Sequence, residues 1–260
     1  MLTDKQKFHY EVFGFLHLKQ VWTQAEVEIF GHECNRILER CRGGRSFDGR
    51  IRQNQEPFFE HSPLLTQYLE DDRIYLIGEE LLGPNPVLIG TEGNLHVGDT
   101  QWHGGDGSPE VVRSVKIAFY LEANRKDTGA LRLIPGSHTP ELSETLWPLM
   151  RQHDDQSDMP FGVPGTEIPS LVLDIQPADL VVFPEQIWHA SFGGRPGRTQ
   201  HAISLLENPS TDELKVATRN MYEGLQVSLR PSESLINSHS ARLRSLVEPL
   251  VALGFEPAQV

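Results

Sequence analysis

From Val87 to Leu206 the chain is cut into short β-rich runs, at 87–97, 111–121, 130–134, 171–175, 180–183 and 199–206, separated by turn residues. Runs of this length and spacing are the pattern of an antiparallel sandwich or barrel. The 22 glycines and 18 prolines among 260 residues suit many strands and turns better than a helix bundle. Ahead of this core the texture is helical. Residues 7–21 end in a short apolar strand, and Thr23 to Glu26 then forms a capping box. The box predicts a helix to about Arg42 with Val27, Phe30, Cys34, Ile37, Leu38 and Cys41 on one face. Residues 45–62 read as a loop or edge hairpin, and 63–83 as a second helix stopped by Gly83-Pro84. An insertion over 141–169 holds a helix around Glu141–His153 and then a stretch expected to be mobile, a candidate lid. A closing helix is expected over 232–253, with Leu235, Leu243, Leu246 and Leu250 as its apolar positions. The expected organisation is one domain over 1–260: a helical part to about 85, a β core over about 86–210, and the closing helix.

Charge and cysteine content narrow the function. A formal net charge of −13 argues against non-specific nucleic-acid binding, which needs cations to neutralise phosphates. An anionic small molecule stays open, because Arg45, Arg50, Arg52 and Lys116 are either a local basic patch or solvated surface charge. No run approaches the ~18 apolar residues of a membrane span, and the first residues carry no apolar leader. Cys34 and Cys41 lie two helical turns apart, about 10 Å, beyond the ~7 Å that a disulfide tolerates. Free thiols fit a reducing compartment, so the expected location is cytoplasmic and the expected partner a small-molecule substrate.

Three features carry chemistry. His103 and Asp106 lie close together in the glycine-rich turn Asp99-Thr-Gln-Trp-His-Gly-Gly-Asp106. His189 follows the strand that begins at Leu180, and Arg198 opens the strand nine residues beyond it. Two histidines and one carboxylate on one face of iron(II) leave three positions for a bidentate keto acid and O2. A planar guanidinium suits the far carboxylate of that acid. Taken singly, each residue reads as readily as surface, turn or core; order, spacing and strand context together favour the site.

The same stretches resemble the phytanoyl-CoA dioxygenase family of iron(II)/2-oxoglutarate-dependent oxygenases. FHYEVFGFLHLKQVWTQAEVEIF resembles the family's opening strand and helix, DTQWH its approach to the first ligand, VKIAFYLEANRKDTGALRLIPGSH its central strands, and ADLVVFPEQIWHASFGG with Arg198 its second histidine and 2-oxoglutarate arginine. The resemblance implies a mainly β protein with flanking helices, built on a double-stranded β-helix (a jelly-roll, cupin-like core). It implies iron(II) on His103, Asp106 and His189, 2-oxoglutarate on Arg198, and O2 as co-substrate. The activity it implies is hydroxylation of an unactivated C–H bond with release of succinate and CO2. Alternation along 111–121 turns Lys116, Ala118 and Tyr120 to one face, taken as the pocket side, with a solvent-facing Lys116 as the other reading. Gln200 and Ser204 share the face of Arg198, and Ser204 is a candidate hydrogen-bond donor to the keto acid.

The chain departs from the family at one point. The family's His-any-Asp becomes His103-Gly104-Gly105-Asp106, with the carboxylate one residue late. Either an extra glycine bulges the turn and Asp106 still reaches the metal, or Gly105 takes the carboxylate position. The second arrangement resembles the iron/2-oxoglutarate halogenases, in which a halide fills the space. A third reading is a non-catalytic jelly-roll binding protein.

Overall fold

The structure is a computed structural model and describes residues 1–105, 112–225 and 230–258. In chain order the elements are α1 (Asp4–Phe13), β1 (Leu16–Leu18), α2 (Gln24–Cys41), β2 (Gln53–Gln55), α3 (Pro63–Glu70), α4 (Asp72–Leu82), β3 (Val87–His96), β4 (Thr100–His103), β5 (Ser114–Phe119) and β6 (Leu131–Leu133). There follow α5 (Pro140–Leu146), α6 (Leu149–Asp154), β7 (Leu171–Val172), β8 (Leu180–Phe183), β9 (His189–Ser191), β10 (Arg198–Leu206), α7 (Asp212–Leu225), α8 (Glu233–Ile236), α9 (Ala241–Ser245) and α10 (Glu248–Ala252).

Among the described residues the strands form two sheets, ordered β1-β8-β5-β10-β3-β2 and β4-β9-β6-β7. Every pairing is antiparallel. Together they make the double-stranded β-helix, a jelly-roll, cupin-like core, with helices flanking it. Alternation along the strands sorts side chains into layers. Val115, Ile117, Phe119, Ile203 and Leu205 leave the outer face of the larger sheet and pack against Phe30, Ile37, Leu65 and Ile74 of the helical layer. Ala118, Tyr120, Val181 and Phe183 point inward and meet Leu131 and Leu133 of the smaller sheet. The outer face of the smaller sheet carries Trp102, Trp188, Ala190 and Phe192, which pack with Leu149 and Ile168 of the insertion.

The helices follow local chemistry. Thr23 caps α2 with the expected box, its hydroxyl accepting from Glu26 N at 3.2 Å and its backbone N donating to Glu26 Oε2 at 2.7 Å. Val27, Phe30, Cys34, Ile37 and Leu38 are its buried face, and Cys41 is exposed. Several expected elements are subdivided. Residues before β1 form α1, which the periodicity had not separated and which Gly14 ends at φ +78°. The expected helix 63–83 is two, because the Asp71 carboxylate accepts from Arg73 N at 2.8 Å and caps a new start. The closing helix is three short ones, restarted by the Ser240 cap and by Pro249 in the first turn of α10. The insertion helix breaks at Trp147-Pro148. Helix α7 carries no counterpart in the sequence reading.

Candidate active site

Residues of both sheets line one cavity, which holds His103, His189, Lys116, Tyr120, Arg198 and Gln200, with Arg52, Glu92 and His96 beside them. His103 ends β4 and His189 opens β9, directly opposite each other in register. Their ring centroids lie 4.0 Å apart. Each Nδ1 sits 2.8 Å from a backbone carbonyl, Gln101 O for His103 and Ile187 O for His189. A carbonyl only accepts, so each Nδ1 carries the proton and each Nε2 keeps its lone pair free. Burial holds both imidazoles below their usual pKa, and the neighbouring ring lowers His189 further. Two neutral imidazoles with free Nε2 atoms in one cavity are a donor pair that fits a divalent transition metal.

The same alternation that turns the histidines inward turns Trp102 and Trp188 outward. Trp102 Nε1 donates to Gly165 O at 2.8 Å and Trp188 Nε1 to Ser143 Oγ at 3.0 Å. The insertion is thus packed on the outer face of the smaller sheet, and of its residues His153 comes near the pair, its ring 6.4 Å from that of His103.

Arg198 is 2% exposed and stands opposite His96 in the β10–β3 register. Its Nη2 donates to Ser191 Oγ at 2.9 Å, and its Nε is buried with no hydrogen-bond partner. Among the described residues it forms no ion pair. Gly129 makes room for it: a Cβ there would come within 2.6 Å of Arg198 Cδ and Nε. Burial lowers its pKa, the expected response of a cation desolvated without a contacting anion. A buried fork with spare donors is the chemistry of a carboxylate site.

Lys116 on β5 and Tyr120 just after it reach the cavity, as alternation predicts. Burial pushes the Tyr120 hydroxyl up to about 12. Burial alone would lower the Lys116 ammonium, but Glu185 and Glu92 reverse this and hold it above its usual value. Ser204 stands apart from the cavity lining, and its hydroxyl donates to Glu185 Oε1 at 2.7 Å. Asp106 lies outside the described residues. Among those residues no third His, Cys, Asp or Glu joins the histidine pair as a metal cluster.

Gly105 is described, and its geometry bears on the displaced carboxylate. Its φ is +52°, and a Cβ built there would overlap Ser143 Oγ and lie 2.8 Å from Trp188 Nε1. Its side-chain direction therefore points to the outer, tryptophan side of the smaller sheet, away from the histidine pair. Gly104 has φ +146°, and a Cβ built there would lie 2.5 Å from Ile187 O. Sequence reasoning passed over His96, Glu92 and Asn94. They are three polar residues at period two on β3, which the sheet order places between two neighbours.

A jelly-roll with an inward histidine pair and a buried arginine is the frame of a large oxygenase class. The model of the family Phytanoyl-CoA dioxygenase (PhyH) matches residues 10–202, and the chain belongs to that family. It is similar to an ectoine dioxygenase of Bordetella bronchiseptica, 28% identical over 186 residues, or 63% of this chain. The matched stretch spans 58% of that relative's length. Among solved structures it resembles HygX from Streptomyces hygroscopicus with nickel and 2-oxoglutarate bound, at TM-score 0.62 and 16% identity, over 94% of each chain. It also resembles EctD from S. alaskensis with bound Fe, at TM-score 0.58 and 18% identity, over 79% of this chain and 76% of that one. Among the described residues no helix is long and apolar enough to cross a membrane.

Proposed function

We propose that the chain is a single-domain iron(II)/2-oxoglutarate-dependent dioxygenase that hydroxylates an unactivated C–H bond of a small molecule. The observation that carries this reading is Arg198, a buried guanidinium with an unpartnered Nε, in one cavity with two neutral histidines whose Nε2 atoms are free. His103 and His189 would hold the metal, with Asp106 as the third ligand. Arg198 would take the distal carboxylate of 2-oxoglutarate, with Tyr120 alongside. Bound iron(II) and O2 supply the oxidising chemistry, with succinate and CO2 as by-products. The protein's own share is positional. The carbonyls of Gln101 and Ile187 fix both ring tautomers, Arg198 sets the direction of the keto acid, and the apolar wall of Phe183 and Leu131 limits water. Bordetella bronchiseptica ectoine dioxygenase acts by name on a small molecule, which supports a small-molecule substrate here.

The halogenase reading is less well supported. It needs the vacancy left by Gly105 to open on the metal, whereas the Gly105 side-chain direction runs into Ser143 and Trp188. The test is succinate formation by purified protein. It should require iron(II) and 2-oxoglutarate together, and disappear in His103→Ala and His189→Ala. Succinate formation that survives both substitutions would overturn the assignment.

A further inference from the structure

Lys7, Tyr10 and Glu11 stand at i, i+3 and i+4 on α1, so they share one face of the helix. That face borders a second cavity, which no residue of the histidine cavity lines. It lies between α1, the C-terminal end of α4, the residues that lead into β5, and the turns at 138–140 and at Pro184 and Gln186. Leu81, Leu82, Val112, Pro140 and Pro184 give it apolar walls. Its volume is about 480 Å3, within the roughly 300–1,000 Å3 of ordinary small-molecule pockets. The histidine cavity holds about 90 Å3.

One polar group in this wall is left unmatched. The Tyr10 hydroxyl is buried and has no hydrogen-bond partner among the described residues. Burial pushes its pKa above the usual value, so it keeps its proton and can donate. An acceptor placed beside it would remove the cost of that unmade bond. The charges around the cavity are already matched. Lys7 Nζ lies 3.7 Å from Glu80 Oε2. Arg113 pairs with Glu207 at 3.1 Å and gives Nη1 and Nη2 to the carbonyls of Leu81 and Leu82. Glu11 is exposed to water. A charged ligand would enter without a counter-ion or displace one of these pairs. The cavity also lies one hydrogen bond from each histidine strand. Gln186 O accepts from Gly105 N at 2.8 Å, two residues after His103. Ser137, next to His138 of the wall, accepts from Trp188 N at 2.9 Å, one residue before His189.

We infer that this cavity is a second ligand site, for a neutral, mainly apolar molecule whose carbonyl, ether or hydroxyl oxygen accepts from Tyr10. The site stands apart from the oxygenase reading and does not depend on it. The test uses four probes of similar size: 4-fluoroacetophenone, 4-fluorotoluene, 4-fluorobenzoate and 4-fluorobenzylammonium. Each is titrated into the purified full chain, with binding read by fluorine NMR. The ketone should bind at least about tenfold tighter than either ion. Tyr10→Phe should weaken the ketone about fivefold, the scale of one neutral hydrogen bond, and leave the toluene within about twofold. Thr139→Trp puts bulk into the cavity and should weaken both neutral probes by more than about tenfold. Thr139 caps no backbone N–H of α5, so this change spares the helix start. Thermal melting controls for folding, and Thr139→Trp decides the matter if Tyr10→Phe does not fold. No binding of the ketone, or equal or tighter binding of either ion, overturns the proposal. So does ketone binding that Tyr10→Phe or Thr139→Trp leaves unchanged.

Discussion

Replacing Arg198 with lysine isolates the fork from the charge. Arg198 is 2% exposed, gives Nη2 to Ser191, and holds Nε without a partner. A carboxylate laid along that fork receives two parallel charge-assisted bonds, whereas an ammonium offers a single point of contact. A hydrogen bond to a charged group is worth about 1.5–3 kcal/mol net. Losing one of two while keeping the charge should cost about 2 kcal/mol, or roughly thirtyfold in the Kd for 2-oxoglutarate. Lysine also leaves a gap against Gly129, where Arg198 Cδ and Nε now sit. Arg198→Gln removes the charge as well and should weaken binding by more than about a hundredfold. The assay is anaerobic calorimetry of 2-oxoglutarate on the iron(II) protein, with thermal melting as the control for folding. A Kd for Arg198→Lys within about twofold of the wild type would falsify the placement of the keto acid's carboxylate at Arg198.

The other predictions concern the metal, the displaced carboxylate and acid stability. His103→Ala or His189→Ala should each abolish stoichiometric iron binding, measured as metal content after dialysis; retention by either variant would remove that residue from the ligand set. Asp106→Ala should weaken iron binding, and adding Gly105→Asp should not restore it, because that side chain is directed at Ser143 and Trp188; restoration would favour the halogenase arrangement. His201 is 0% exposed and burial pushes it down to about 3. Its folded pKa lies below the unfolded value of about 6.5, so the unfolded chain takes up the proton first. Its contribution is complete above that unfolded value and falls as the pH drops toward the folded one, by about 1.4 kcal/mol per unit. His201→Phe fits between Phe58 and Phe119, cannot be protonated, and should flatten the pH dependence of the urea midpoint in that window. Parallel curves for variant and wild type would show that His201 does not carry the slope.

The strands were legible because each is a short run with a clear period, and the runs at 180–183 and 199–206 correspond to β8 and to β10 within one residue. Helix boundaries were less legible where a polar cap interrupts an apolar face. Asp71 and Ser240 restart helices without breaking the hydrophobic pattern that sequence reasoning follows. Of the site, His103, His189, Arg198, Tyr120 and Lys116 are brought to one cavity. Ser204 is not, although it shares the Arg198 face: it stands opposite Lys116, whose long side chain reaches the cavity, while its own short hydroxyl is spent on Glu185. Glu92, Asn94 and His96 escaped notice because polar residues on a strand usually face water, and only the pairing order shows β3 between two neighbours.

The dipeptides Trp102-His103 and Trp188-His189 repeat one construction on two paired strands. Alternation sends each indole out and each imidazole in, so whatever fixes the indole fixes the strand that aims the imidazole. Both indoles are fully buried, and both donate their N–H into the insertion, at Gly165 and Ser143. Gly105 lies against the same Ser143 and Trp188, so the backbone after the first histidine is registered on the second histidine's tryptophan. The segment that resembled a loose lid in sequence therefore acts from behind. It packs on the outer face of the smaller sheet, and two tryptophans tie it to the strands that carry the histidines on the inner face. Loosening it would spread the pair without touching either ring, because strand ends held by packing drift when the packing is removed.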